Sequence, residues 1–411
     1  FISNTAGDDA GAIYASESTV SWDGDSTLFI SNSANDGAGV IAAFESTVSV
    51  DADGTNFSSN VAASAGALLF GEASTVFWGG DGTSFSSNSA NFTAGAMYVA
   101  ESSNVFWGGD GTSFSSNSAG NVGGAIYVAE SSISWNGNAT IFSSNYAGVD
   151  GGAIFVDDYA SMSWNGDNAL FSFNYAVEYG GAIEVADDST VSWDGDGPQF
   201  ISNYANVSGG AIYVTGEESN VFWNGDGAEF INNSALYDGG AIKLFLHSTM
   251  FWHGNGAVFS SNFAGDDGGA IALGDGAGLA WFGDGSQFIN NSANDNGGAI
   301  KGRRSSWVSL RGDDTHFSAN FAGGDGGAIE MWGTSTISSN GNTTFSRNVA
   351  GENGGAIAAV EGYWGTSEFY GGTFIENRAR HGGALYFISS NFNYTHVTFR
   401  SNSASRGGGA V

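Results

Sequence analysis

The sequence predicts an all-β fold, a right-handed three-sided parallel β-helix (β-solenoid) of about 15 turns, each of about 28–29 residues. Three observations predict it. First, one motif recurs along all 411 residues, reading Phe-x-x-Asn-x-Ala, then Gly-Gly-Ala-Ile, then Val-x-Trp-x-Gly-Asp-Gly. Phe1, Phe29, Phe57, Phe85 and Phe114 open its early copies and Phe345, Phe374 and Phe399 its late ones, each three residues before an Asn. Self-similarity at a fixed period means units that bury their apolar faces only against their neighbours. Second, each copy offers three short strand-like segments separated by Gly, Asp, Ser and Asn, and none has a helical period. Third, 66 glycines accompany a single proline, Pro198. Nearly every backbone donor is therefore available to a ladder, while tight turns remain easy. The glycines have no three-residue period, which excludes collagen.

In the copy that begins at Phe114, the expected strands run from Phe114 to Ala119, from Gly124 to Val128 and from Ile133 to Trp135. In the first, stacked Phe rings supply core area, and the recurrent Asn fits an internal ladder of side-chain amides passing hydrogen bonds from turn to turn. In the second, the paired glycines allow positive φ or close backbone approach at a corner. Ile126 and Val128 share a face there, and Tyr127 takes the other. The equivalents of Tyr127 are Phe155, Glu184, Tyr213, Lys243 and Glu330, a chemical variety that assigns this column to the outside. In the third strand Val105 and Trp107 share a face, while Phe106 between them is replaced by Ser21, Ser134, Ser163 and Ser192 in other copies. Val and Trp are therefore expected to point inward.

Uninterrupted repetition makes residues 1–411 a single parallel β-helix domain. The chain begins and ends inside a copy, so it is expected to be an excerpt of a longer or processed chain. No run of about 18 apolar residues occurs, so no transmembrane helix is expected. There are no cysteines, which excludes disulfides and thiolate metal sites. A formal net charge of −32 disfavours nucleic acid as a partner.

Gly-Gly-Ala-Ile/Leu/Val together with Phe-x-x-Asn resembles the repeat signature of the chlamydial polymorphic outer-membrane proteins (Pmp) and related parallel β-helix proteins. The first four copies carry Ala for the first Gly, as in Ala10-Gly11-Ala12-Ile13. The resemblance covers the whole chain and implies secreted, adhesive passenger domains, hence an extracellular or cell-surface location. It says little about ligand.

Candidate sites are few. The turn after each Trp carries a column of carboxylates, among them Asp81, Asp110, Asp167, Asp196 and Asp226. Like charges stacked about 4.8 Å apart repel, by nearly 1 kcal/mol per pair even in water, so the column needs full solvation or cations. Calcium is the candidate ligand; the alternative is a solvated turn in which Asp is chosen for its geometry. No other cofactor is required. Asn-x-Ser/Thr sequons at Asn56, Asn91, Asn138, Asn206, Asn232, Asn290, Asn342 and Asn393 are candidate glycosylation sites. Lys301, Arg303, Arg304 and Arg311 near Asp313 and Asp314 are the nearest approach to a polysaccharide lyase or hydrolase centre. The five histidines show no metal spacing.

All ten bases lie at Lys243 or beyond, and residues 1–54 carry only acids. Unlike-charged ends and open strand edges favour head-to-tail contact between copies. The sequence thus points to a non-enzymatic extracellular rod that stacks into a cell-surface fibre, filament or appendage, a homo-polymer. A Pmp-like adhesin passenger is the first alternative and the polysaccharide enzyme the second.

Overall fold

The computed structural model describes residues 1–360, 366–389 and 391–411. They form two compact units, Phe1–Tyr204 and Ala205–Val411. Both are all-β and both are parallel β-solenoids: four sheets, each with seven strands lying wholly inside the unit among the described residues. Every strand pairs in parallel with its equivalents in adjacent turns, and the register keeps like over like. Phe114 pairs with Phe85 and Phe142, Ile126 with Met97 and Ile154, and Trp135 with Trp107 and Trp164.

One turn holds four strands rather than the three expected. In the copy beginning at Phe114 they are Ser113–Ser115, Ser118–Ala119, Ile126–Ala129 and Ser132–Trp135. The expected first strand is split because Ser116 adopts φ 54°, as Ser59, Ser87 and Ser144 do with φ of 55–56°. A left-handed residue reverses the pleat and ends the pairing. The split puts the next residue, Asn117, fully inside.

There the asparagines form a continuous polar column within each unit. Asn117 Nδ2 donates to Asn145 Oδ1 at 3.0 Å and to the Phe85 carbonyl at 3.0 Å, while its own Oδ1 accepts from both the backbone N and Nδ2 of Asn88. Both functions of the amide are thereby satisfied in a dry interior, where an unmade bond costs about 1–3 kcal/mol.

Aromatic ladders run beside it. Phe85, Phe114 and Phe142 stack with centroids 4.6 and 4.7 Å apart and nearly parallel rings. Trp78, Trp107 and Trp135 stack at 4.6 and 4.9 Å, tilted by about 50° against the Phe column. Each Trp brings a buried N–H. Trp78, Trp107 and Trp135 donate it to Thr83, Thr112 and Thr140, five residues on, at 2.9 Å; Trp164 and Trp252 use the carbonyls of Gly166 and Gly254.

The paired glycines divide their labour. Gly123 has φ 64°, and a Cβ on Gly124 would overlap the Gly152 carbonyl oxygen of the next turn. The first glycine supplies the bend and the second lets adjacent turns approach.

The column containing Tyr127 departs from expectation. It does face away from the Ile and Val core, but it is not on the surface. Tyr127, Phe155, Glu184, Tyr213, Lys243 and Glu330 are all buried. The segment before the paired glycines folds back over this face, and in the first unit Ala94 and Val122 close over Tyr127 and Phe155 to make a second small core. Chemical variety here reflects a covered seam in which each turn needs only a locally matched neighbour.

Candidate functional site

The Asp column after the Trp strands is exposed, as a solvated turn requires. Each carboxylate also caps its neighbour. Asp81 Oδ1 accepts the backbone N–H of Asp110 at 2.8 Å, Asp110 Oδ1 that of Asn138 at 2.7 Å, Asp167 Oδ1 that of Asp196 at 2.8 Å, and Asp226 Oδ1 that of Asn255 at 2.6 Å. One oxygen of each is committed to holding the turn. The structure brings Asp81 and Asp110 into adjacent turns of one column, and likewise Asp167 and Asp196.

Of the sequon asparagines, Asn91, Asn138, Asn232, Asn290, Asn342 and Asn393 are exposed, whereas Asn56 and Asn206 are half-buried. Asn138 and Asn342 use Nδ2 to donate to Asp110 and Asp314.

The basic residues grouped by sequence do not share one place. Lys301 and Arg303 belong to the strand Ile300–Arg303 of the Gly-Gly-Ala-Ile sheet, and Arg304 follows it. Arg311 follows Trp307–Leu310 of the Trp sheet, where its guanidinium lies 5.5 Å over the Phe282 ring. Asp313 is occupied in the exposed turn column, its N–H on Asp284.

The chemistry-bearing groups that do converge lie along the covered seam. In the second unit, Asp238 Oδ2 accepts from Lys243 Nζ at 2.8 Å and from Arg303 Nη2 at 3.0 Å. Lys301 pairs with Glu330, both almost fully buried. Burial pushes the Lys243 and Lys301 ammonium groups below their usual range, with the Asp238 charge opposing this at Lys243. Asp267, Asn296, Asp325 and Asn353 form a capping column of their own, in which Asp267, Asn296 and Asp325 each accept the backbone N–H of the next member at 2.9–3.1 Å. Beside them opens a cleft of about 370 Å³, lined by Asp267, Lys301, Arg303, Asp325, Glu330 and Trp332. Of its charges, Lys301 and Glu330 pair with each other, while Arg303 reaches Asp238 outside the lining.

In the first unit the same seam holds only acids. Glu184 is 4% exposed, and burial beside Asp150 and Asp157 pushes its carboxyl well above the usual range. Burial likewise raises Asp150 and Asp157, each to about 6. Tyr127 Oη donates to Asp157 Oδ2 at 3.4 Å. Asp157, Asp158 and Asp187 can bring carboxylate oxygens within 4.8 Å of one another.

Sequence reasoning missed Asp150, Asp157, Asp238, Asp267 and Asp325. For all of these but Asp157 a usable signal was present: an Asp directly before the paired glycines, followed at the fifth residue by an ionisable side chain in the case of Asp238 and Lys243.

Residues 111–129, 139–157, 285–303 and 342–360 match the Chlamydia polymorphic membrane protein (Chlamydia_PMP) repeat. The chain carries this repeat. No curated protein and no solved structure matches the chain. Each match ends on the Gly-Gly-Ala-Ile strand, so the Chlamydia_PMP repeat coincides with the Phe, Asn and Gly columns and includes the residue at the Tyr127 position of the seam.

Proposed function

We infer that the chain is a non-enzymatic structural module of a cell surface, whose side faces bind other molecules in the manner of a Pmp-like adhesive passenger. The supporting observation is the set of exposed aromatic rings held in register on outer faces. Phe77 and Phe106 stack at 5.3 Å while 48% and 44% exposed. Tyr146 and Tyr175 stack at 5.5 Å, and Phe222 and Phe251 at 5.2 Å. Ser49 and Ser134 occupy the Phe77 and Phe106 positions in neighbouring turns, so the fold does not need rings there. Exposed apolar columns that the fold does not require are a feature of interaction surfaces. The non-enzymatic part rests on the division of the bases between two sheets and on their pairing with internal carboxylates.

The test uses the whole chain. Phe77→Ser with Phe106→Ser is expected to leave the melting temperature unchanged and to weaken attachment to an array of extracellular-matrix proteins and glycans. Attachment equal to that of the unaltered chain would defeat the reading.

A second reading, assembly into a fibre, is favoured by one observation. All ten bases fall in the unit Ala205–Val411, and the unit Phe1–Tyr204 has none. The excess of base is confined to residues 373–411, where Arg378, Arg380, Arg400 and Arg406 face a single acid, Glu376, so this segment of one copy attracts the acidic residues 1–54 of another, and such heterologous contacts extend into filaments when they do not close.

A further inference from the structure

We propose that Lys301 and Glu330 condense to an amide, an isopeptide cross-link that ties two adjacent turns of the second unit through their side chains. The first observation is register. Lys301 lies directly opposite Glu330 in neighbouring strands of the Gly-Gly-Ala-Ile sheet, so both side chains leave the same face and Lys301 Nζ meets Glu330 Oε2. The residues are 4% and 3% exposed. An amine and a carboxyl held in this way react as though each were present at about 10⁵–10⁸ M, which favours an amide that free acid and amine would not form in water.

The second observation is how little else holds the two groups as ions. Among the described residues, the bond to Glu330 is the single hydrogen bond of Lys301 Nζ, and Glu330 accepts no other. An ammonium has three donors and a carboxylate two acceptor oxygens. A buried ion pair is stable only when further hydrogen bonds satisfy those groups. Burial, with the Arg303 charge, pushes the Lys301 ammonium below its usual range against the pull of Asp267, Asp295 and Asp325. Transfer of one proton from Nζ to Glu330 then gives a free amine, the nucleophile, and a neutral carboxylic acid, the electrophile.

The step balances without any further reactant. A bond forms between Lys301 Nζ and Glu330 Cδ, the carbon–hydroxyl bond of the acid breaks, and the hydroxyl leaves with one Nζ proton as water. Nothing is oxidised or reduced. Both residues line the cleft of about 370 Å³, which gives the water a way out. The amide keeps one donor and one acceptor where the ion pair left several groups unmet.

A neighbouring pair on the same seam supplies the contrast. Lys243 Nζ lies 2.8 Å from Asp238 Oδ2, but that oxygen also accepts from Arg303 Nη2 at 3.0 Å. A carboxylate shared between two cations is a poor electrophile, so Lys243 and Asp238 stay an ion pair.

The intact mass of the full chain, measured in denaturant after incubation at neutral pH, tests this. The expected value is that of the sequence less one water. Trypsin should leave the chain uncut after Lys301 and release a branched peptide that joins Lys301 to Glu330. Lys301→Met is expected to restore the full mass, and Lys243→Met to keep the loss of water. The full mass in the unaltered chain overturns the proposal, whether or not either variant folds. A missing water that maps to other residues, or that survives in Lys301→Met, overturns it equally.

Discussion

Asn117 has a partner for each function of its amide, and removing it strands several at once. Asn117→Ala leaves the backbone N and Nδ2 of Asn88 without their acceptor and takes from the Asn145 oxygen one of its two donors, the backbone N–H of residue 117 remaining. The loss of stability should be about 2–5 kcal/mol, read from urea denaturation, and a change below about 1 kcal/mol would mean that the column contributes little. Asp325 offers a titration test. Burial holds its carboxyl above 3.8, against hydrogen bonds from Asn353. The folded unit therefore keeps that proton to higher pH than the unfolded chain does. Its stabilisation is full below pH 3.8 and is lost as pH rises through the raised value. Asp325→Asn retains an oxygen for Asn353 and removes the titration. The variant should be the more stable at neutral pH, with the gap closing in acid; a gap independent of pH would refute the assignment. The Asn ladder was legible because an amide recurring at fixed phase beside Phe has few other uses. The Trp partners were harder to foresee, since Thr83, Thr112 and Thr140 read as ordinary turn residues until the indole N–H arrives beside them.

Two glycines separate conformation from space at the level of the turn. Gly111 has φ 63° with open space around it, whereas Gly124 has ordinary φ and a carbonyl in the place of its Cβ. Gly111→Ala should cost about 1–2 kcal/mol, the strain of a left-handed residue. Gly124→Ala should cost more than about 4 kcal/mol, because the backbones of two turns must separate. Melting temperatures of the two variants check this, and equal losses would remove the distinction. Parallel sheets, repeat length and the inward face of each Trp strand could all be read from the period. The division of the first strand could not, because the left-handed residue that makes it is a plain Ser at 59, 87 and 116. Nor could the seam. Its burial depends on the preceding segment folding back through Ala94 and Val122, and alternation along a strand reports which face a residue takes but not what covers that face.

At the scale of the whole molecule, charge is the dominant asymmetry. A chain whose bases all follow residue 242 carries its attraction and its repulsion in different regions. If copies associate through it, sedimentation should detect assemblies at low ionic strength that dissolve as the Debye length falls below about 10 Å, near 0.1 M salt. Assemblies indifferent to salt would shift weight to backbone edges, and particles that stay monomeric at every ionic strength would remove the fibre reading. The adhesive reading makes no such demand, so the two part on this measurement.

The asparagine column has one further consequence. Besides a Phe carbonyl of the preceding turn, Nδ2 of Asn88, Asn117, Asn262 and Asn291 donates to the amide oxygen of the following turn, so the amide dipoles of a unit add head to tail instead of cancelling. Flipping one amide would set nitrogen against nitrogen on one side and oxygen against oxygen on the other. No single residue is therefore free to choose its orientation. The column is polarised in one sense along its length, and each coil added during folding inherits that sense from the one already laid down.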